Sequence, residues 1–156
     1  MSEKKAAARV LAANRKARHD YHVLERLEAG VALTGTEVKS CRAGRVQLRE
    51  GWVDFRNGEA WLVGVHVSAY EHGPRDSPAP ERQRKLLLSR REIDRLEPRT
   101  RAKGFTVVPL SIYLKGDRVK VEIALVQGKQ LHDKRETEKR RELDREARRA
   151  LSGEGE

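Results

Sequence analysis

Cysteine is almost missing from this chain. Cys41 is the only one in 156 residues, which excludes an internal disulfide framework and a zinc site built from cysteines. Long apolar runs are missing too: none approaches the roughly 20 residues that span a bilayer. The opening segment "MSEKKAAARVLAANRK" is basic and Ala-rich but has no long apolar stretch followed by a cleavage site, so no secretory signal is expected. These absences predict a soluble, cytoplasmic chain with no membrane partner. There is no G-x-S-x-G elbow, no Gly-rich phosphate loop and no H-E-x-x-H. The five histidines are His19, His22, His66, His72 and His132. His19 and His22 stand three apart at the start of a strand with no third ligand near them. Acidic residues are mostly interleaved with arginine, which favours surface ion pairs over a strained carboxylate pair. The expectation is no catalytic residue, no metal, no cofactor and no enzyme activity.

What the chain does have is positive charge. Lys and Arg number 34 against 24 Asp and Glu, for a formal net charge of +10. Such a balance attracts polyanions, and nucleic acid is the commonest one a cytosolic protein meets. The length suits one domain with tails. The expected division is a flexible basic arm over 1–18, a barrel over 19–128 and a charged tail over 129–156.

From Tyr21 the chain turns strand-like. "YHVLERLEAGVALTG" suits two strand segments bent at Gly30, with Glu28 beside the bend. "GTEVKSCRAG" reads as a short helix capped by Thr36, with Glu37 in its first turn and Gly44 stopping it. "WVDFRNGEAWLVGVHV" places Asn57-Gly58 between apolar runs, a tight hairpin with both turn residues at positive φ. Trp52 and Trp61 are expected to anchor its buried side. Residues 72–81, "HGPRDSPAPE", form a loop. "SRREIDRLEPRT" has Ser89 and Glu92 at capping-box spacing with Ile93 and Leu96 on one face, a short helix. "FTVVPLSIYLKGDRVKVEIALVQG" gives a second hairpin around "KGD". About six strands with two or three short helices predict a mainly β protein, a small closed barrel of the oligonucleotide-binding (OB) type. A sandwich also fits the pattern.

Three basic clusters stand out: Arg15, Lys16 and Arg18 before the first strand; Arg82, Arg84, Lys85, Arg90 and Arg91 around Leu86–Leu88; and Lys115, Arg118 and Lys120 around the last hairpin. Together on one barrel they predict a phosphate-binding face, with affinity falling by about 0.7–0.9 log units per log unit of salt for each neutralised phosphate.

The stretches "NRKARHDYHVLERLEAGVALTGTEVKSCRAGRVQL", "RKLLLSRREIDRL", "KGFTVVPLSIYLKGDRVKVEIALVQGK" and "HDKR" together resemble the SsrA-binding protein (small protein B) family of bacterial ribosome rescue. The resemblance covers about residues 14 to 135 in order and spacing. It implies an OB-type barrel that binds the tRNA-like domain of transfer-messenger RNA (tmRNA, or SsrA RNA). It also implies delivery of that RNA to stalled ribosomes for trans-translation. Elongation factor Tu and alanyl-tRNA synthetase would be indirect partners, met through the RNA. Carried over position by position, the tmRNA-binding residues are Asn14, Arg15, Lys16, Glu28, Leu87 and Lys120, with Arg84 and Lys85 beside Leu87. Glu28 would accept from a base amino group or a ribose hydroxyl, a specificity role. Leu87 reads equally well as core. Ser77 and Ser89 stand where relatives often carry His, and Cys41 where Leu is usual. Without the resemblance, another basic OB-barrel translation protein, such as a ribosomal protein or initiation factor, fits the same residues.

The tail "GKQLHDKRETEKRRELDREARRAL" interleaves its charges. Glu136–Lys139, Glu136–Arg140, Glu138–Arg141, Glu142–Arg145 and Asp144–Arg148 are opposite charges three or four apart, each worth about 0.2–0.5 kcal/mol to a helix. That is comparable to the cost of nucleation, and the apolar stripe (Leu143, Ala147, Ala150, Leu151) is thin. The tail is expected to be disordered when free and helical when held, reaching roughly 30 Å. The resemblance implies that it lies in the empty mRNA channel near the small-subunit decoding centre of the ribosome. There Lys129, His132, Asp133, Lys134 and Arg135 would touch ribosomal RNA, with His132 able to stack on a base. Far-UV circular dichroism of the isolated 129–156 peptide in plain buffer should show little helix; strong helicity would remove the folding-on-binding expectation.

Overall fold

The computed structural model describes residues 8–69, 78–129 and 131–151, the last segment partly as backbone only. Its centre is a long hairpin. β8 (Phe105–Lys115) and β9 (Arg118–Gly128) are joined through Gly116 at φ +62°, the turn expected at "KGD". Val119, Val121, Ile123 and Leu125 alternate along β9 and face the main core, where each is buried. β2 (Tyr21–Val31) pairs with the free side of β9 as far as Gly30, and at Gly30–Val31 it also pairs with β7 (Arg84–Leu87). The glycine expected as a bend is thus the point where β2 takes on its second neighbour.

β4 (Trp52–Arg56) and β5 (Glu59–Val63) form the Asn57-Gly58 hairpin, with φ of 52° and 73° at the two turn residues. Both lie in the left-handed region that this two-residue turn requires. The tryptophans correct the expectation made of them. Val53, Ala60 and Leu62 face the core, whereas Trp52 is 42% exposed and Trp61 stands beneath the Arg56 guanidinium, 5.3 Å from its ring centre. The binary pattern "WVDFR" admitted either face, and the smaller aliphatic side chains took the inside.

Residues 9–18, expected to belong to a flexible arm, are built into the fold. β1 (Arg9–Ala13) pairs with β8, and α1 (Arg15–Asp20) follows at once. The main sheet therefore has seven antiparallel strands in the order β1-β8-β9-β2-β7-β5-β4. β3 (Val46–Gln47) and β6 (His66–Val67) make a separate pair. The sheet curls in the OB-like manner and brings β4 back beside β8, but among the described residues no ladder joins its two edges. The expected closure is absent because both hydrogen-bonding edges of β8 are taken, by β9 on one side and by β1 on the other.

α2 (Gly35–Arg42) starts two residues earlier than Thr36 would allow: Thr34 is its cap, in a full capping box with Glu37. α3 (Arg90–Leu96) begins with the expected Ser89–Glu92 box and runs into a 3-10 turn at Glu97–Arg101. α4 (Leu131–Leu151) is the tail helix. Most of the 72–81 loop, including His72 and Ser77, lies outside the described residues. Cys41 is fully buried, and burial pushes its thiol up to about 11.

Glu37 does more than cap. Its carboxylate is buried and takes Arg84 Nε at 2.8 Å, the Arg82 guanidinium and the Thr34 backbone N–H. Arg84, only 1% exposed, spends its other nitrogens on the carbonyls of Val65 and Pro80, both at 2.9 Å. Burial alone would raise the Glu37 carboxyl, but the bonds from Arg82, Thr34 and Arg84 hold it below the usual carboxylate range. Arg84→Ala should cost about 3–5 kcal/mol in denaturant unfolding, because it strands a buried charge. Since the folded state depresses the Glu37 carboxyl, its contribution is present above the ordinary carboxylate pKa and lost as pH falls through the folded value. The stability difference between the parent and Arg84→Ala should accordingly shrink as pH falls through the carboxylate range, because protonating Glu37 removes the bonded charge from one and the stranded charge from the other.

Candidate nucleic-acid interface

Among the described residues, three bulges decide which side chains leave the core. They fall between Val10 and Ala12, between Val23 and Glu25, and between Pro109 and Ser111. Each inserts one residue and so exchanges inward and outward positions along its strand. On β2 the outward set changes from Tyr21 and Val23 to Arg26 and Glu28. On β8 it changes from Val108 and Leu110 to Ser111, Tyr113 and Lys115. Pro109, which has no N–H for a ladder, sits at the β8 bulge, where none is needed.

The outer face consequently has two halves. On one, α1 lays Ala17 over Val108, Leu110, Ala124 and Val126 in a small second core. The other half is open. One register row crosses it strand by strand: Val10 opposite Tyr113, Tyr113 opposite Lys120, Lys120 opposite Gly30, and Gly30 opposite Leu87. The next row holds Ser111, Glu122 and Glu28. Leu87 is 58% and Val10 63% exposed, at the two ends of the row. Gly30 permits the row to lie flat, because a Cβ there would meet the Leu87 side chain at 3.2 Å. Between β1, β8, β9 and β2 the surface dips into a concavity of about 390 Å³ lined by Val10, Glu28, Ser111, Tyr113, Lys115 and Glu122.

Glu28 is the most constrained group on this face. The Tyr113 hydroxyl donates to its Oε2, and Lys115 Nζ lies 3.2 Å from Oε1 and 3.4 Å from Oε2. The Tyr113 bond is the main reason the carboxyl stays below its ordinary range, with Lys115 and Lys120 adding to it against partial burial. The Tyr113 hydroxyl is driven up by burial and by the carboxylate it serves, so it stays a donor.

The structure gathers some of the sequence-predicted residues and separates others. Glu28, Leu87 and Lys120 fall in the two adjacent rows, and Lys85 points the same way two residues before Leu87, 2.7 Å from Glu59. Arg15 and Lys16 are exposed on α1, next to the covered half, with Lys16 3.3 Å from Glu50. Two of the predicted contact residues are buried. Asn14 is 3% exposed: its Oδ1 caps α1 by accepting from Ala17, and its Nδ2 donates to the carbonyls of Pro109 and Leu48. Arg84 is the core cation already described. Both side chains spend their polar atoms on partners within the fold. In the tail, the Lys129 backbone N–H meets the Asp20 carbonyl at 2.9 Å. Arg135 is exposed, whereas the side chains of His132, Asp133 and Lys134 lie outside the described residues. Tyr113 and Val10 were missed. Their signal was the alternation in "SIYLK" and "RVLAA", readable only once the bulge positions are known.

An open OB-like sheet whose outer face combines exposed aliphatics, lysines and one clamped carboxylate defines a small basic protein of the oligonucleotide-binding class. Residues 11–153 match the family model described as SmpB protein, and the chain belongs to that family. It is 51% identical over 155 residues to the SsrA-binding protein of Ligilactobacillus salivarius, covering 99% of this chain and 100% of that one. It is 52% identical over 143 residues to the SsrA-binding protein of Carboxydothermus hydrogenoformans, covering 92% and 96% respectively. A chain solved in work on tmRNA-SmpB and the center of the bacterial ribosome superposes with a TM-score of 0.66 at 45% identity, over 77% of this chain and 85% of that one.

The contrast between exposed and buried predicted residues is measurable. Leu87→Ala should leave denaturant stability within about 0.5 kcal/mol of the parent, as for other surface changes. Asn14→Ala should cost about 2 kcal/mol or more, from the lost cap and two stranded carbonyls.

Proposed function

We propose that this chain is a non-catalytic RNA-binding adaptor of ribosome rescue, which binds the tRNA-like domain of tmRNA and carries it to stalled ribosomes. The observation that carries this reading is the pair of adjacent register rows that set Lys120, Leu87 and the clamped Glu28 on one open sheet face. The kinship with SsrA-binding proteins supports the choice of RNA. Lysines on the face neutralise phosphates, exposed aliphatics pack against bases or sugars, and Glu28 accepts from an amino or hydroxyl group. Glu28, Lys85, Leu87 and Lys120 are the proposed tmRNA contacts, with Arg15 and Lys16 meeting the backbone beyond α1. The proposed place of action is the cytoplasm. Among the described residues, no helix is long and apolar enough to cross a membrane.

The tail takes the second task. Residues 138–148 of α4 are exposed, Leu143 at 53%, so the helix buries little against the rest of the chain. The structure has α4 already helical; in this reading that helix is marginal in the free protein, is secured in the empty mRNA channel, and brings Lys129, His132, Asp133, Lys134 and Arg135 to the decoding centre. Elongation factor Tu and alanyl-tRNA synthetase meet the complex through the RNA.

Truncation after Gly128 tests this division of labour. The shortened chain should bind tmRNA within about twofold of the full chain, a difference of less than roughly 0.5 kcal/mol. It should fail to support peptide tagging on ribosomes stalled at the end of a truncated message. Loss of RNA binding on truncation would contradict the division.

A further inference from the structure

We propose that Tyr113 is a positioning residue of the RNA face: together with Lys115 it fixes the Glu28 carboxylate so that the lone pairs left over face the concavity as a preset acceptor. The inference rests on the reading that this face binds RNA, and it assigns the selectivity of that site.

A carboxylate has two oxygens and about four acceptor positions. The Tyr113 hydroxyl occupies one on Oε2, and Lys115 lies against both oxygens. Glu28 is nevertheless 39% exposed, so the remaining positions are open to a ligand. A free glutamate at an exposed strand position would sample many rotamers, and binding would have to select one. Here the selection is made before the RNA arrives, which is how preorganisation raises affinity without a new contact.

The surroundings explain why a fixed acceptor is worth having. Facing Glu28 are Tyr113, Lys115 and Ser111 from β8, Lys120 and Glu122 from β9, the uncharged Val10 from β1, and Arg26 two residues back on its own strand. On a face built to attract phosphates, a wandering carboxylate would repel the backbone wherever it went. Held in one place it opposes only a misplaced phosphate and accepts from a base amino group, a ring N–H or a 2′-hydroxyl. Tyr113 thus acts on selectivity through Glu28, while Lys120 acts on affinity through charge. The hydrogen bond also favours the ionised carboxyl, so the acceptor stays charged into mildly acidic solution.

Tyr113→Phe keeps the ring that packs between Val10 and Lys120 and removes only the hydroxyl, so the chain should fold as before. The full-length protein is titrated at pH 7 with a transcript of the tRNA-like domain and, separately, with an RNA duplex of equal length. Tyr113→Phe should weaken the tRNA-like complex about three- to tenfold, the scale of immobilising one side chain on binding. Duplex binding and the salt slope of both complexes should be unchanged, because no phosphate contact is removed. In the RNA-free protein, carbon-13 titration of the glutamate carboxyls should show the Glu28 midpoint moving up in Tyr113→Phe. Glu28→Gln should lose the tRNA-like preference as well. If Glu28→Gln weakens binding while Tyr113→Phe changes neither selectivity nor the Glu28 titration, the positioning role is overturned and the RNA face stands. If Glu28→Gln binds the tRNA-like transcript like the parent, the RNA reading of the face fails, and the role of Tyr113 falls with it.

Discussion

The buried pair of Glu37 and Arg84 is the constraint on which the architecture turns. Burying two charges is favourable only when nearly every donor and acceptor is used, and here they are: Arg84 reaches Glu37, Val65 and Pro80, while Glu37 also takes Arg82 and closes the α2 cap. Four separate pieces of chain are thereby tied to one point, namely α2, the turn before β6, the segment at Pro80 and strand β7. Strand β7 joins β2 to β5 through short ladders, two residue pairs on one side and three on the other. Without the ion pair at its first residue, little else would hold it in register. Its outward residues, Lys85 and Leu87, face outward because its inward ones, Arg84 and Leu86, are locked.

From that anchor the functional face follows by geometry. Each bulge exchanges the inward and outward sets of one strand, and three bulges acting together convert an outer surface that is apolar under α1 into one that is polar beyond it. Asn14 stands at the change-over. Its side chain ends β1, begins α1 and bonds the carbonyl of Pro109 at the β8 bulge. It thereby places Arg15 and Lys16 on an exposed helical turn and keeps Val10 in line with Tyr113.

Local features were readable from the sequence wherever a few neighbouring residues decide them. Asn57-Gly58 gave its hairpin and Ser89–Glu92 its capping box, because turn and cap chemistry act within four residues. The fate of Asn14 and Arg84 was hidden for the opposite reason. Asn14 finds Pro109 across 95 residues, and Arg84 finds Glu37 across 47. A basic residue with a distant buried acid looks, in sequence, like one that meets a phosphate. The bulges left no composition signal either, so strict alternation misassigned Trp52 and passed over Tyr113 and Val10. Glu28, Leu87 and Lys120 were singled out by family resemblance, and the register then explained why they belong together. The closure of the barrel was over-read, since β1 had been taken for an arm and so could not be counted at the edge of β8.

In the proposed reading RNA recognition is confined to one face of the sheet, and the core pair and the tail have other tasks. The most direct measurement is backbone amide hydrogen exchange of the full chain with and without a tRNA-like domain transcript of tmRNA. Added protection should concentrate at Glu28–Gly30, Lys85–Leu87, Ser111–Lys115 and Arg118–Glu122, with a weaker effect at Arg15 and Lys16. Protection confined to the opposite edge around β4, or to the tail alone, would contradict it.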